Sequence, residues 1–339
     1  MNPSNDRAPL FSGIRLLAAL AVAAGAAGSI LINAGAPTPL RLLARDPASP
    51  YRWSDAADSL AAAGRLAEAR YSYQRAVSLG PNIPPVQMRA ANFYLLNGDR
   101  PRALAGVRRV LALTPAFDEA VFSTFSRLEV PPALVLSDGL PAARRPELAA
   151  DYAGFLLRAG RPEDAAAVWG GAFPGRRPAH DLVFNGGFEF EPLRGPLDWS
   201  LQAPEHVRLA RDPAARSGKW SLRVAFDGGR NVLDLGISET LIVADPGPRR
   251  FRAFLRAEGI TTAEGPRFRI FDAESPARLD VYTDQVTGSC GWREVSARVV
   301  APPGTRLIAI ALVRRAPARF DNRIRGQVWV DDVSLMRGP

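Results

Sequence analysis

At 339 residues, with a hydrophobic share of 47%, the chain is long enough for two or three domains and ordinary enough in composition to bury real cores. Its formal charge of +9 comes almost wholly from arginine, Lys219 being the one lysine, and the arginines are scattered rather than gathered on a stripe; this argues against a nucleic-acid partner and leaves a general attraction to anionic lipid or acidic polysaccharide. One cysteine, Cys290, excludes an intrachain disulfide, and two histidines, His180 and His206, with no Cys/His set at ligand spacing, exclude a zinc site.

The first segment, 1–36, is a short polar stretch followed by an apolar run. From Leu16 to Ile32 there is no charge, and with Phe11 and Ile14 the span 10–34 is about long enough to cross a bilayer. Arg7 and Arg15 on its N-terminal side favour a cytoplasmic N-terminus. The expectation is a single-pass anchor in the cytoplasmic membrane with the body outside, in the periplasm. The alternative is a signal peptide cleaved after Ala34-Gly35-Ala36, which would release the protein. Residues 37–49 are Pro-rich and read as a linker.

Residues 50–173 read as helical hairpins. Gly64-Arg65-Leu66-Ala67-Glu68-Ala69 returns as Gly98-Asp99-Arg100-Pro101-Arg102-Ala103, and Pro81 returns as Pro115, all at one offset of 34. Small residues let antiparallel helices approach, glycine ends the first helix and proline stops the second. A third first-helix falls at 118–128, and a hairpin out of register follows at 146–173. This pattern resembles the tetratricopeptide repeat, with Trp53 and Ala57 at the family's positions. The resemblance implies a protein partner on a groove carrying Ser54, Asp58, Met88, Asn92 and Leu95; a spacer packing on its neighbours is the alternative.

After a linker at 174–180, residues 181–339 read as an all-β sandwich: short alternating runs separated by Gly and Pro. Strands are expected at 182–185, 207–210, 221–226, 232–237, 249–256, 267–271, 279–282, 292–300, 306–313 and 327–335. Leu307 to Val313 is apolar on both faces, as a central covered strand would be. The fold class is thus multidomain α + β: a membrane helix, helical hairpins and an antiparallel sandwich. Asn185-Gly186-Gly187-Phe188-Glu189, Trp199, Ser217-Gly218, Ser221-Leu222-Arg223-Val224, Trp292 and the closing Trp329-Val330-Asp331-Asp332-Val333-Ser334-Leu335 resemble the jelly-roll carbohydrate-binding modules attached to bacterial cellulases and xylanases.

That resemblance implies a structural calcium ion held by Glu189, Asp331 and Asp332; strand-end hydrogen bonding without metal is the other reading of these residues. A glycan surface needs aromatic rings among polar groups, and Tyr282, Phe271 and Phe254 with Asp280, Asp284 and Gln285 form the candidate set, solvent-face decoration being the bland alternative. Trp199, Trp292 and Trp329 lie inside fold motifs and are assigned to packing. No paired carboxylates, nucleophile–base set or phosphate-binding loop is evident, so the expected function is non-catalytic. It would be an envelope protein that binds or organises polysaccharide through the sandwich and docks a protein through the helices, an accessory of polysaccharide synthesis or export by analogy. A membrane adaptor without glycan binding is the alternative.

Overall fold

The computed structural model describes residues 39–178, 180–243, 247–317 and 323–338. Packing divides the chain into two units, one up to Arg144 and one from Arg145. The apolar segment 10–34 lies outside the described residues, and among the described residues no helix is long and apolar enough to cross a membrane.

The first unit is helical: α1 (Pro39–Arg45), α2 (Pro50–Ala62), α3 (Leu66–Leu79), α4 (Pro84–Leu96), α5 (Arg100–Leu113), α6 (Asp118–Arg127) and the single turn α7 (Pro132–Leu134), which runs into a π-helical turn at Val135–Gly139. Segment 37–49 is therefore not all linker, because α1 occupies most of it. Ser49 caps α2, its side chain accepting from Arg52 N, and Asp99 caps α5 in the same way through Arg102 N. Gly64 and Gly98 turn the two hairpins at φ of 74° and 75°, a left-handed conformation that other residues enter at a cost. The backbone bonds that close the two turns are equivalent: Arg65 N to Leu60 O, and Asp99 N to Tyr94 O. Ala57, Ala69, Ala90 and Ala103 sit with Leu60, Tyr73, Phe93 and Tyr94 in one core, so the small residues mark where helices come closest.

The second unit opens with a hairpin, α8 (Arg145–Arg158) and α9 (Pro162–Ala172), turned at Gly160 as in the first unit. The sequence reading assigns this hairpin to the helical block; its packing places it with the sheets. The reason is Trp169, whose ring lies 5.5 Å from Phe184 and 4.7 Å from Phe173, and against Gly195, where a Cβ would fall 2.4 Å from the indole.

Among the described residues ten strands follow, in two five-stranded antiparallel sheets. One has the order β1 (Ser200–Leu201), β4 (Asp234–Ile242), β9 (Leu307–Val313), β6 (Arg267–Asp272), β7 (Asp280–Tyr282). The other has β2 (Val207–Asp212), β3 (Ser221–Asp227), β10 (Arg325–Arg337), β5 (Gly247–Ile260), β8 (Gly288–Ala301). Alternate residues of both sheets, among them Leu222, Val224, Phe251, Phe268, Ile308, Ile310, Val328 and Val330, fill the space between them. β9 lies inside its sheet, between β4 and β6, in keeping with its two apolar faces.

The expected strand at 182–185 does not form. Asp181 makes an isolated bridge with Met336, and Leu182 N donates to Leu335 O. Then Asn185 closes a loop: its Oδ1 accepts from Phe190 N at 3.1 Å and its Nδ2 donates to Phe190 O at 2.8 Å. Phe188 drops into the core beside Trp199, ring centroids 5.1 Å apart. Gly186 is required here, since a Cβ would lie 2.0 Å from Val333 O. The Asn-Gly-Gly-Phe motif thus docks the opening segment on the closing strand.

Candidate functional site

β6 and β7 pair with Arg269 opposite Tyr282 and Phe271 opposite Asp280, which puts all four on the outer face of their sheet. The alternating partners, Phe268 and Ile270, are fully buried in the sandwich. Across the strands Asp280 grips the guanidinium in a fork, Oδ1 to Nε at 2.8 Å and Oδ2 to Nη2 at 3.2 Å. This contact raises the Arg269 pKa further above its ordinary value. The guanidinium carbon stands 4.4 Å from the Phe271 ring centre and 5.8 Å from that of Tyr282, while Arg315 lies 4.3 Å over the other neighbour of the array, Tyr282. The result is a ladder of two rings and two guanidiniums pinned by one carboxylate. It offers flat apolar surface and N–H donors together.

Three of the six expected glycan residues, Phe271, Asp280 and Tyr282, meet in this ladder. The other three do not. Phe254 is on β5, in the opposite sheet, with Arg216 3.5 Å over its ring. Gln285 is occupied within a loop: its Oε1 accepts from Gly265 N and Arg267 Nη2, and its Nε2 donates to Ala263 O. Asp284 points to Arg293 at 3.9 Å. Arg269 and Arg315 were not among the candidates. The Arg-Phe-Arg-Ile-Phe alternation of 267–271 does place Arg269 beside Phe271; nothing local marks Arg315. Trp199 packs in the core as assigned. Trp329 is buried, but on the outer face under Arg256 at 4.7 Å.

Glu189 and Asp331 lie together beside Gly187, each 3.7 Å from where its Cβ would be, and both bond the loop between β2 and β3. Their bound partners are donors. Asp331 Oδ2 accepts from Arg216 N at 2.7 Å and Ser217 N at 3.2 Å, its Oδ1 from Asp332 N at 2.7 Å, and Glu189 Oε1 from Lys219 N and Trp220 N. Asp332, in a left-handed conformation at the bulge of β10, turns to Arg216 and Ser217. Among the described residues no group of three or more His, Cys, Asp or Glu side chains converges as a metal set. The residues as placed do not fit calcium: a cation between the carboxylates would face the positive ends of five amides. The amides do what the ion was expected to do, tying both ends of the domain to one loop. Burial lifts Asp331 to a pKa of about 6 against these bonds.

A second carboxylate group sits at one end of the sandwich. Glu239 is buried on the inner face of β4; its Oε1 accepts from Phe184 N at 2.8 Å, and its Oε2 has no hydrogen-bond partner among the described residues. Burial, then nearby Asp198 and Asp181, push its pKa well up. Asp198, buried and bonded to Leu193 N and Trp199 N, is raised to about 6, and Asp181 is raised as well. A cavity of about 150 Å³ beside Glu239 is lined by Trp169, Arg177, Phe184 and Leu197.

In the helical unit the expected groove residues separate. Ser54 is fully buried, its hydroxyl donating to Pro50 O, and Met88 is buried too, so neither lines an accessible groove. Asp58 accepts from Tyr73 Oη and from Arg89, which also bonds Asp55 at 3.0 Å. Asn92 and Leu95 are half-buried, and Leu96 beside them is 75% exposed.

No family model matches the chain, and no curated protein matches it. The β-sandwich is similar to solved carbohydrate-binding modules. TmCBM61, solved in complex with beta-1,4-galactotriose, is 14% identical with a TM-score of 0.35, over 47% of this chain and 100% of that one. The CBM22-1 xylan-binding domain from Paenibacillus barcinonensis Xyn10C is 15% identical with a TM-score of 0.30, over 45% of this chain and 94% of that one. A family 16 carbohydrate-binding module is 14% identical with a TM-score of 0.32, over 46% and 99%.

Proposed function

We propose that this is a non-catalytic envelope protein whose β-sandwich binds polysaccharide on the outer face of β6 and β7. The observation that carries the reading is the Phe271–Arg269–Tyr282–Arg315 ladder with Arg269 held by Asp280. Rings supply apolar surface for the C–H face of a pyranose, and a fixed guanidinium supplies donors to its hydroxyls. The helical unit docks a protein partner, a reading supported by exposed Leu96 and Tyr71. Segment 10–34 holds the protein at the membrane, where it serves polysaccharide synthesis or export.

One observation favours the second reading, an adaptor that binds no glycan: each ring of the ladder already has a guanidinium on it. Calorimetry of the full chain with β-1,4-galacto-oligosaccharides and xylo-oligosaccharides, beside Tyr282→Ala and Arg269→Ala, separates the two. Saturable binding that both variants weaken about tenfold or more supports the sugar site, the loss being that of one stacked ring or one charge-assisted bond. Folded protein that binds none of these sugars supports the adaptor.

A further inference from the structure

The outer face of the other sheet carries a separate trough. Its register across three strands reads Arg208 on β2, Ala225 on β3, Gln327 on β10, each directly opposite the next. The small Ala225 leaves a channel along β3 between the taller walls of Arg208 and Gln327. Two residues toward the start of β3 stands Arg223, and two toward its end stands Asp227, opposite Arg325. The cavity so formed measures about 710 Å³. From Arg223 to Asp227 it runs four residue steps, roughly 13 Å at ~3.3 Å per step.

Its charge is unbalanced. Among the described residues neither Arg208 nor Arg325 has a carboxylate within ion-pair distance, Arg208 feeling the charge of Asp227 from further off, and both are exposed. Arg223 is shared with Asp212 at 3.4 Å. Asp227, the one acid of the trough, is paired with His206 at 3.0 Å. Three guanidiniums thus converge on a channel that also offers the amide of Gln327 and the carboxylate of Asp227. We propose that this trough binds a linear acidic polysaccharide, with Arg208, Arg223 and Arg325 taking sugar carboxylates and Gln327 and Asp227 taking hydroxyls.

The mixed lining decides the class. Guanidiniums match carboxylates as planar forks. The amide of Gln327, and the lone pairs Asp227 keeps beyond its bonds to His206 and Gly229 N, suit the hydroxyls of a sugar. A nucleic acid strand would want ring faces to stack on; of the two rings that line the channel Phe226 is buried and His206 is tied to Asp227, while neighbouring Trp329 lies under Arg256. Along β3 the arginines stand at the levels of residues 223, 225 and 227, about 6.6 Å apart at ~3.3 Å per residue, so a chain lying in the channel meets them in succession. The site lies on the other sheet from β6 and β7 and stands whether or not that face binds a sugar.

The test uses the full chain and a fluorescently labelled oligogalacturonate, read by anisotropy, with Arg208→Gln/Arg325→Gln as the variant. Both side chains are exposed, so the variant is expected to keep the melting temperature. The expected result is saturable binding that weakens steeply with salt and falls about tenfold or more in the double variant. A neutral galacto-oligosaccharide should not compete. Absence of binding by folded protein overturns the proposal. So does loss of binding in Arg269→Ala with the trough variant intact, which would place the acidic chain on the β6–β7 face. Equal competition by a single-stranded oligonucleotide would overturn it as well, by showing an unselective anion surface.

Discussion

Glu239 faces the core with one carboxyl oxygen unbonded, next to Asp198 and Asp181. A carboxyl whose pKa is raised by folding keeps a proton that the unfolded chain has already released. Its contribution therefore falls as pH rises from the ordinary value, 3.8 for Asp198, through about 6, and stays lowered above that. Glu239→Gln keeps the acceptor for Phe184 N and cannot ionise. It is expected to melt at or above the wild type near pH ~7.5, with the gap closing near pH ~4.5; thermal melts at both values check this, and a variant melting lower at both contradicts it. Asp331 carries three amide bonds at a buried site, so Asp331→Ala is expected to cost roughly 1–3 kcal/mol in denaturant unfolding. Calcium is expected to leave the melting temperature of the wild type unchanged, and a saturable rise with added calcium would assign Glu189 and Asp331 to a metal instead. At this scale the sequence is informative where periodicity governs. Phe271, Asp280 and Tyr282 share a face because strands alternate. Ser54, Met88 and Gln285 could not be placed, since what covers them comes from packing or from bonds across a turn.

Elements follow their local signals when those signals are chemical. The 34-residue offset, the turn glycines and the capping Ser49 and Asp99 mark α2 to α5 in the sequence itself. Gly98→Ala forces a Cβ into the left-handed conformation at φ 75° and is expected to destabilise the helical unit by roughly 1–2 kcal/mol. Chemical unfolding followed by circular dichroism measures this; an unchanged midpoint would mean the turn relaxes. Burial patterns were less reliable guides to element type. The apolar run at 182–185 is buried as a strand would be, yet Asn185, with φ of 54°, ends any ladder there. β1, only two residues long, is defined by its pairing with β4 and carries no pattern of its own.

For the whole molecule, the unit boundary is the feature that composition misplaced. The Gly-Pro-Arg stretch at 174–180 looks like an interdomain linker, but Trp169 before it packs on Phe184 and Gly195 after it. A fragment of residues 145–339 is accordingly expected to melt cooperatively and at higher temperature than one of 181–339, which loses the cover of Phe184; calorimetric melts of the two decide it, and equal stability would restore the linker reading. The two outer faces of the sandwich then have distinct assignments, an aromatic–arginine ladder on one sheet and an arginine trough on the other. The central claim is that the β6–β7 face recognises polysaccharide. A broad glycan array probed with the folded full chain, wild type beside Tyr282→Ala, tests it most directly. The expected result is binding to a defined set of neutral glycans that the variant loses. Binding to no neutral glycan, or neutral-glycan binding that Tyr282→Ala leaves untouched, would contradict it.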